Sequence, residues 1–163
     1  MIELGPADPD DPDLRALVTD HLADMVATTP DPRSRHALDL EALLGPGVTL
    51  WTARLDGGVV GTGALKELDA DAGELKAMRT TPAARGRGVG SAVLDHLLAE
   101  CVTRGYRHVH LETGAQDFFA AARRLYAARG FVRTGPFGAY VDDPSSVFMR
   151  LDLPARGRRA PGA

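Results

Sequence analysis

The sequence has no long apolar run and only one cysteine. No stretch approaches the roughly 20 apolar residues that a membrane-spanning helix needs, so we expect no membrane partner. Its first residues carry no basic segment followed by an apolar one, which predicts no secretory signal and a cytoplasmic location. A single cysteine among 163 residues excludes an internal disulfide. Cys101 stands at helical spacing from Leu94, Leu97 and Leu98, and we therefore interpret it as a core residue.

Basic charge is not in excess either. The chain has 19 Lys and Arg against 22 Asp and Glu, a formal net charge of −3. Binding to nucleic acid needs a basic surface that neutralises phosphates, so we expect no nucleic-acid partner. The hydrophobic share of 44% is ordinary for a globular protein, and the length suits one domain. We expect one domain over residues 1–153 and a flexible basic tail over 154–163, which has nothing apolar to anchor it.

Hydrophobic periodicity predicts the first half of an α/β fold. After a short strand at the start, apolar residues at three- and four-residue steps from Leu14 to Met25 predict a helix, and a short second helix fits residues 38–44. The period then changes to two, which predicts strands over 48–55, 59–68 and 73–81. An Asp-Gly-Gly turn between the first two of these strands indicates a hairpin.

The second half predicts a parallel unit within the same sheet. Its predicted elements are a helix from Val89 to a stop at Gly105, a strand over 107–114, a helix over 117–129, and strands over 131–134 and 147–153. A strand, helix and strand in this order form a right-handed crossover with parallel strands. The sequence therefore predicts one mixed, mostly antiparallel sheet with a central βαβ unit and helices on both faces.

A glycine-arginine run over residues 82–91 joins the third strand of the meander to the following helix. Alternate glycines at 86, 88 and 90 let the backbone pass close to a bulky group and present N–H donors at a helix N-terminus. This pattern predicts a pyrophosphate site. A dinucleotide fingerprint would need glycine where Ser91 stands, and a Walker loop needs Gly-Lys followed by Ser or Thr, which the sequence lacks.

Two motifs give this sequence a family resemblance. Pro82, Arg85, Gly88 and Gly90 reproduce the pattern P-x-x-R-x-x-G-x-G of the GNAT acetyltransferase superfamily. Residues 125–131 are similar to the second signature of that family, L-Y-x-x-x-G-F, one helix downstream. The sequence thus resembles GNAT proteins over residues 1–153. The exact residues of segments such as GALKEL and DDPSSVFM resemble those of a bacterial subfamily of uncharacterised small acetyltransferases. The resemblance implies a GNAT fold and an N-acetyltransferase that uses acetyl-CoA as co-substrate.

The resemblance also implies which residues hold acetyl-CoA. The pantetheine arm would lie along backbone groups before the glycine run, and the run itself would bind the phosphates. The implied residues are Met78, Arg79, Thr80, Arg85, Gly86, Arg87, Gly88, Val89, Gly90 and Ser91. Tyr126 would be the general acid that reprotonates the departing thiolate of CoA, with a packing role as the alternative. Phe119 stands where many members carry Asn, so one hydrogen bond to the cofactor must come from elsewhere.

Direct transfer to an amine also needs a group that accepts a proton. Glu112 ends the strand that should diverge from its parallel neighbour, at the edge where open α/β sheets place ligands. We interpret Glu112 as the catalytic base, with substrate positioning or a structural ion pair as alternatives; Glu74 and Glu67 are weaker candidates. His108, His110 and Glu112 alternate along one strand face in a spacing that could bind a metal. No further ligands are visible, and we predict no metal site.

The acceptor is the part that the sequence determines least. We interpret His21 and His36, in the N-terminal helical region, as polar surface residues. Tyr140 lies in a loop that could cover the acceptor, and Trp51 could line its wall or fill the core. The leading hypothesis is direct transfer, in a ternary complex, to a primary amine of a small molecule by a monomer or homodimer. The alternatives are a protein or peptide N-acetyltransferase and a non-catalytic acyl-CoA-binding module, which Tyr126 disfavours.

Overall fold

The computed structural model describes residues 1–35 and 38–154, and the strands within these ranges form one seven-stranded sheet. The strands are β1 (Ile2–Pro6), β2 (Val48–Leu55), β3 (Gly58–Asp69), β4 (Ala72–Thr80), β5 (His108–Gly114), β6 (Val132–Thr134) and β7 (Ser146–Asp152). Their order is β1-β2-β3-β4-β5-β7-β6, and β4 and β5 are parallel while the other neighbours are antiparallel. The predicted mixed sheet is confirmed.

The predicted helices are present with small differences at their ends. They are α1 (Pro12–Thr28), α2 (Leu40–Leu43), α3 (Val89–Arg104) and α4 (Ala120–Ala128). Helix α1 begins before the first apolar residue because the Asp11 side chain accepts a hydrogen bond from the Asp13 N–H and proline occupies the first helical position. Helix α2 is shorter than predicted because Asp39 caps it through the N–H of Ala42. A 3₁₀ turn over Asp117–Phe119 precedes α4.

Helices cover both faces of the sheet. Helices α3 and α4 contribute to the larger core, which includes Leu65, Leu97 and Leu111, whereas α1 and α2 pack over Leu50 and Ala64 on the other face. A Cβ on the β3 glycine at position 63 would lie 2.5 Å from a methyl group of Val93, so glycine there lets α3 approach the sheet closely.

Two side chains whose roles were in question lie in the larger core. Cys101 is fully buried, and burial raises the pKa of its thiol to about 12, which confirms a packing role. Trp51 is also buried there, with its ring 5.4 Å from the ring of His96 and the Arg104 guanidinium 5.7 Å from its centroid. Trp51 therefore fills the core.

The parallel strands β4 and β5 separate toward their C-terminal ends. They pair from Ala72 and His108 as far as Leu75 and Leu111, after which β5 follows β7 and β4 follows β3. Strand β4 then contains a bulge, since Thr62 pairs with Arg79 but Ala64 pairs with Lys76. Ala77 in this bulge has φ of +52°, and its carbonyl accepts a hydrogen bond from Thr62 Oγ1 at 2.7 Å. We call the resulting opening the β4–β5 gap.

Some expectations fall on the remaining parts of the chain. His36 and the tail from residue 155 onward lie outside the described residues. Within the described residues, no helix has the length and apolar character that crossing a membrane requires.

Candidate active site

The glycine run forms an open loop at the N-terminus of α3. Gly86 and Gly88 have φ of +78° and +83°, a conformation that favours glycine. Gly88 caps α3, and no described side chain caps the free N–H groups of the first turn. A Cβ at either glycine would meet nothing within 4 Å, so both residues border open space. The loop therefore presents uncapped N–H donors and the positive end of a helix dipole to an anion.

A cavity of about 500 Å³, which we call the α3 cavity, lies in front of this loop. Of the ten residues predicted to hold the cofactor, nine line it: Met78, Arg79, Thr80, Arg85, Gly86, Gly88, Val89, Gly90 and Ser91. Arg87 is exposed and does not border the cavity. Phe118 also lines the cavity, with its ring centroid 5.9 Å from the Arg85 guanidinium. The structure thus collects the predicted residues around one space, with the exception of Arg87.

A second, smaller cavity of about 90 Å³ adjoins the α3 cavity, and we call it the β5 cavity. Its polar wall comprises Glu74, Lys76, Glu112 and Tyr140, and its apolar wall includes Met25, Leu38 and Leu75. The two cavities share His21, Met78, Phe119, Ala122 and Tyr126, which we call the junction. Two ligands, one in each cavity, would therefore meet at the junction.

Glu112 lies on the wall of the β5 cavity because of strand alternation. Leu111 points into the core beneath α3, so its neighbour Glu112 points to the opposite face of β5. Burial raises the pKa of the Glu112 carboxyl to about 7, while the Ser146 hydroxyl and the charge of Lys76 oppose the rise. A carboxyl with a pKa near neutrality can accept a proton at physiological pH and still return it.

Tyr126 reaches the junction from α4. Its ring is buried and packs edge-on against Phe131, with the ring centroids 5.8 Å apart. Burial, and secondarily the negative charge of Glu112, raise the pKa of Tyr126 above its ordinary value. Tyr126 thus packs in the core and also borders both cavities. Its raised pKa keeps the phenol in the protonated form that a general acid requires.

The loop between β6 and β7 contributes Tyr140 to the wall of the β5 cavity. The Tyr140 hydroxyl donates a hydrogen bond to Glu74 Oε2 at 2.6 Å. Lys76 Nζ donates to the same oxygen at 3.1 Å and to the Tyr140 hydroxyl at 3.0 Å. The Ser34 hydroxyl is hydrogen-bonded to the Asp143 carboxylate, which ties the segment after α1 to the same loop. Glu74 therefore belongs to a buried network of paired groups.

The other candidate base, Glu67, lies elsewhere. Its side chain is exposed and accepts a long hydrogen bond of 3.4 Å from the Tyr106 hydroxyl. Glu67 lines neither the α3 cavity nor the β5 cavity. It is therefore a suitable control for substitutions at Glu112.

His21 was interpreted as a surface residue, and the structure corrects this interpretation. It is half-buried and lines both cavities. Burial, with the positive charge of Arg79, lowers the pKa of its imidazole to about 4. The helical spacing contained the signal, because Leu14, Leu17 and Val18 are the buried residues of α1 and His21 follows them by seven, four and three positions, respectively.

The alternating histidines of β5 have separate partners. His108 Nδ1 lies 2.9 Å from Asp152 Oδ1, and the ring of His110 stacks on Phe137 with centroids 4.7 Å apart. Among the described residues, no group of three or more His, Cys, Asp or Glu side chains is arranged to hold a metal ion. Phe119, at the position where many family members carry Asn, lines both cavities.

Comparison with known proteins agrees with this geometry. The model of the acetyltransferase (GNAT) family matches residues 14–131. The uncharacterized N-acetyltransferase YsnE of Bacillus subtilis is 46% identical over 138 residues, which are 85% of this chain and 91% of YsnE. A crystal structure of a proposed acyl-CoA N-acyltransferase from Klebsiella pneumoniae superimposes with a TM-score of 0.78 at 30% identity, covering 94% of this chain and 98% of that one.

A more distant structure has the same fold. It is a GNAT family acetyltransferase from Elizabethkingia anophelis with acetyl-CoA bound, and it superimposes with a TM-score of 0.68 at 15% identity, covering 93% of this chain and 98% of that chain. The family model covers most of the chain, and the match to the Bacillus subtilis relative covers 85% of this chain and 91% of the relative. The chain therefore belongs to the acetyltransferase (GNAT) family and is an acyltransferase.

Proposed function

We propose that this protein transfers the acetyl group of acetyl-CoA to a primary amine of a small molecule, directly and within a ternary complex. The observation that carries the proposal is the junction, where a larger cavity with an anion-binding loop meets a smaller cavity with a carboxyl whose pKa is about 7. Direct transfer needs both substrates at one point, and two cavities that open on the same gap provide that arrangement.

The α3 cavity suits acetyl-CoA. The uncapped N–H groups after Gly88 would bind the pyrophosphate, and Arg85 adds positive charge at the same wall. Met78, Arg79 and Thr80 would hold the pantetheine arm through backbone groups, since β4 borders the cavity beyond the bulge. Acetyl-CoA bound there would supply an activated thioester at the junction.

Glu112 would accept, and Tyr126 would donate, the protons that move during the reaction. Glu112 takes the proton that the amine loses, directly or through a water molecule, because its carboxyl is half-ionised near pH 7. Tyr126 gives a proton to the departing sulfur, and its raised pKa keeps the phenol protonated until that moment. The two groups border the junction and the adjoining β5 cavity, so proton acceptance and proton donation occur on different groups.

The size of the β5 cavity favours a small acceptor. Its volume is about 90 Å³, and Tyr140 forms part of its wall, where it joins the Glu74–Lys76 ion pair. The Ser34–Asp143 contact holds the same loop from the other side. A peptide would need an open groove along this face. The acceptor therefore presents its amine to Glu112 from a compact molecule.

A panel of acceptors tests the proposal. The protein is incubated with acetyl-CoA and either small primary amines or short peptides, and release of the CoA thiol is followed. We expect turnover with small amines and little turnover with peptides. Preference for peptides would reverse the assignment of the acceptor, and acetyl-CoA binding without turnover on any acceptor would indicate a non-catalytic module. A Tyr126→Phe protein serves as the control for hydrolysis that does not depend on the site.

A further inference from the structure

His21 and Tyr126 border the junction from opposite faces of the sheet. Helix α1, which carries His21, packs over Leu50 and Ala64, whereas α4, which carries Tyr126, packs on the face that α3 covers. Both residues line the α3 cavity and the β5 cavity. A thioester at the β4–β5 gap would thus have the phenol on one side and the imidazole on the other.

The imidazole of His21 is a neutral hydrogen-bonding group. Burial and the charge of Arg79 disfavour a second proton, and Arg79 is itself paired with Asp24. The Nδ1 atom is buried and has no hydrogen-bond partner among the described residues, so the edge of the ring that carries Nε2 is the one available to the cavities. We assign the single proton to Nε2, because a buried N–H without a partner is rarer than a buried acceptor without one.

We propose that His21 is a further catalytic residue, which donates a hydrogen bond from Nε2 to the carbonyl oxygen of the acetyl group. This inference rests on the proposed acetyl transfer. As the amine nitrogen bonds to the carbonyl carbon, the electron pair of the C=O bond moves onto that oxygen. The pair returns when the C–S bond breaks and the sulfur leaves with the bonding electrons. A fixed neutral donor stabilises the charge on oxygen without reorganising, and removing one such donor typically costs roughly 10²–10³-fold in rate.

His96 offers a matched control. It is also half-buried and also has a buried ring nitrogen, Nε2, without a partner among the described residues. His96 belongs to α3, and its ring packs against Trp51. It lines neither cavity. Substitution of His96 by Phe therefore measures the effect of replacing a buried histidine, without changing the junction.

The first test compares the binding of acetyl-CoA with that of CoA by calorimetry in the parent, His21→Phe, His21→Gln and His96→Phe proteins. A contact with the acetyl oxygen predicts that His21→Phe weakens acetyl-CoA binding about three- to tenfold relative to CoA, which lacks that oxygen. His21→Gln keeps an N–H donor and should recover part of the difference. An unchanged ratio of the two dissociation constants in a folded His21→Phe protein would overturn the inference.

Nitrogen NMR and kinetics complete the test. In the parent protein, the imidazole should show the Nε2-protonated tautomer, and its N–H signal should shift on adding acetyl-CoA but not CoA. With the best amine of the panel, His21→Phe should lower kcat about 100-fold and leave the amine KM within about twofold. A change confined to the amine KM would place His21 at the acceptor and reject the inference. If no amine reacts, the proposed function fails, and the binding and NMR results still decide the role of His21.

Discussion

Substitution of Glu112 by Gln tests the proposed base through two independent quantities. Glutamine has nearly the same size and shape but cannot ionise. Burial raises the pKa of the carboxyl from its ordinary value of 4.5 to about 7 in the folded protein. This one property should make both the stability and the activity of the parent depend on pH, and the part of each dependence that Glu112 causes should be absent in Glu112→Gln.

The effect on stability has a definite sign. Below pH 4.5 the carboxyl is protonated in the folded and the unfolded chain, and its favourable contribution is complete. Between pH 4.5 and about 7 only the unfolded chain ionises, so the contribution is lost as the pH rises through the folded pKa. At about 1.4 kcal/mol for each pH unit, the loss reaches about 3.5 kcal/mol above pH 7. Glu112→Gln should therefore melt roughly 7–14 °C above the parent at pH 8 and near it at pH 4.5.

The activity of the parent should rise with pH, whereas the stability contribution of Glu112 falls. With a pKa of about 7, roughly one-tenth of the Glu112 carboxyls are ionised at pH 6 and nine-tenths at pH 8. The ratio of kcat/KM between parent and Glu112→Gln should thus rise about tenfold between these pH values, and protonation of the amine itself cancels in the ratio. A flat ratio would refute Glu112 as the base. If the difference in melting temperature between parent and Glu112→Gln does not change with pH, the raised pKa of the Glu112 carboxyl is refuted. The control Glu67→Gln should change neither the melting temperature nor kcat/KM.

Three further predictions concern the cofactor side of the site. Tyr126→Phe should lower kcat roughly 100-fold with little change in acetyl-CoA affinity, because a thiolate with a pKa near 8.5 is a fairly good leaving group; turnover within about twofold of the parent would leave Tyr126 only a packing role. Gly88→Val should abolish acetyl-CoA binding in calorimetry, since φ of +83° is strained for a β-branched residue, whereas Gly88→Asn should retain part of it. Arg85→Ala should weaken acetyl-CoA binding most at low salt, while Arg87→Ala, which lies outside the cavity, should have little effect; equal losses would contradict the geometry.

The elements of the fold were predictable because their signals are local. Periodicity places the strands and helices, and the hairpin turn follows from Asp56 and Gly57, which both have positive φ. The cofactor residues were predictable for the same reason, since all ten lie in the two neighbouring segments 78–80 and 85–91, and nine of them line the α3 cavity. The exposed position of Arg87 depends on the path of the loop, which spacing alone does not specify.

The junction was harder to predict because it depends on contacts between distant segments. The bulge at Ala77 has no marker in the sequence, since alanine rarely adopts a positive φ and Thr62 on the neighbouring strand supplies the stabilising hydrogen bond. His21 was misread because its exposure was judged from residue type. The helix face that carries it was predictable, but its neighbour Arg79 comes from β4.

A single physical cause sets the protonation of the groups around the gap. Removal from water disfavours whichever form of a group is charged, so it raises the pKa values of Glu112 and Tyr126 and lowers that of His21. Near pH 7 the phenol and the imidazole are therefore neutral, and of these three groups Glu112 is the one with a pKa near 7. An amine must lose a proton to react with the thioester. Among the three groups, Glu112 is therefore the one suited to accept that proton, which is why the proposed chemistry depends on it.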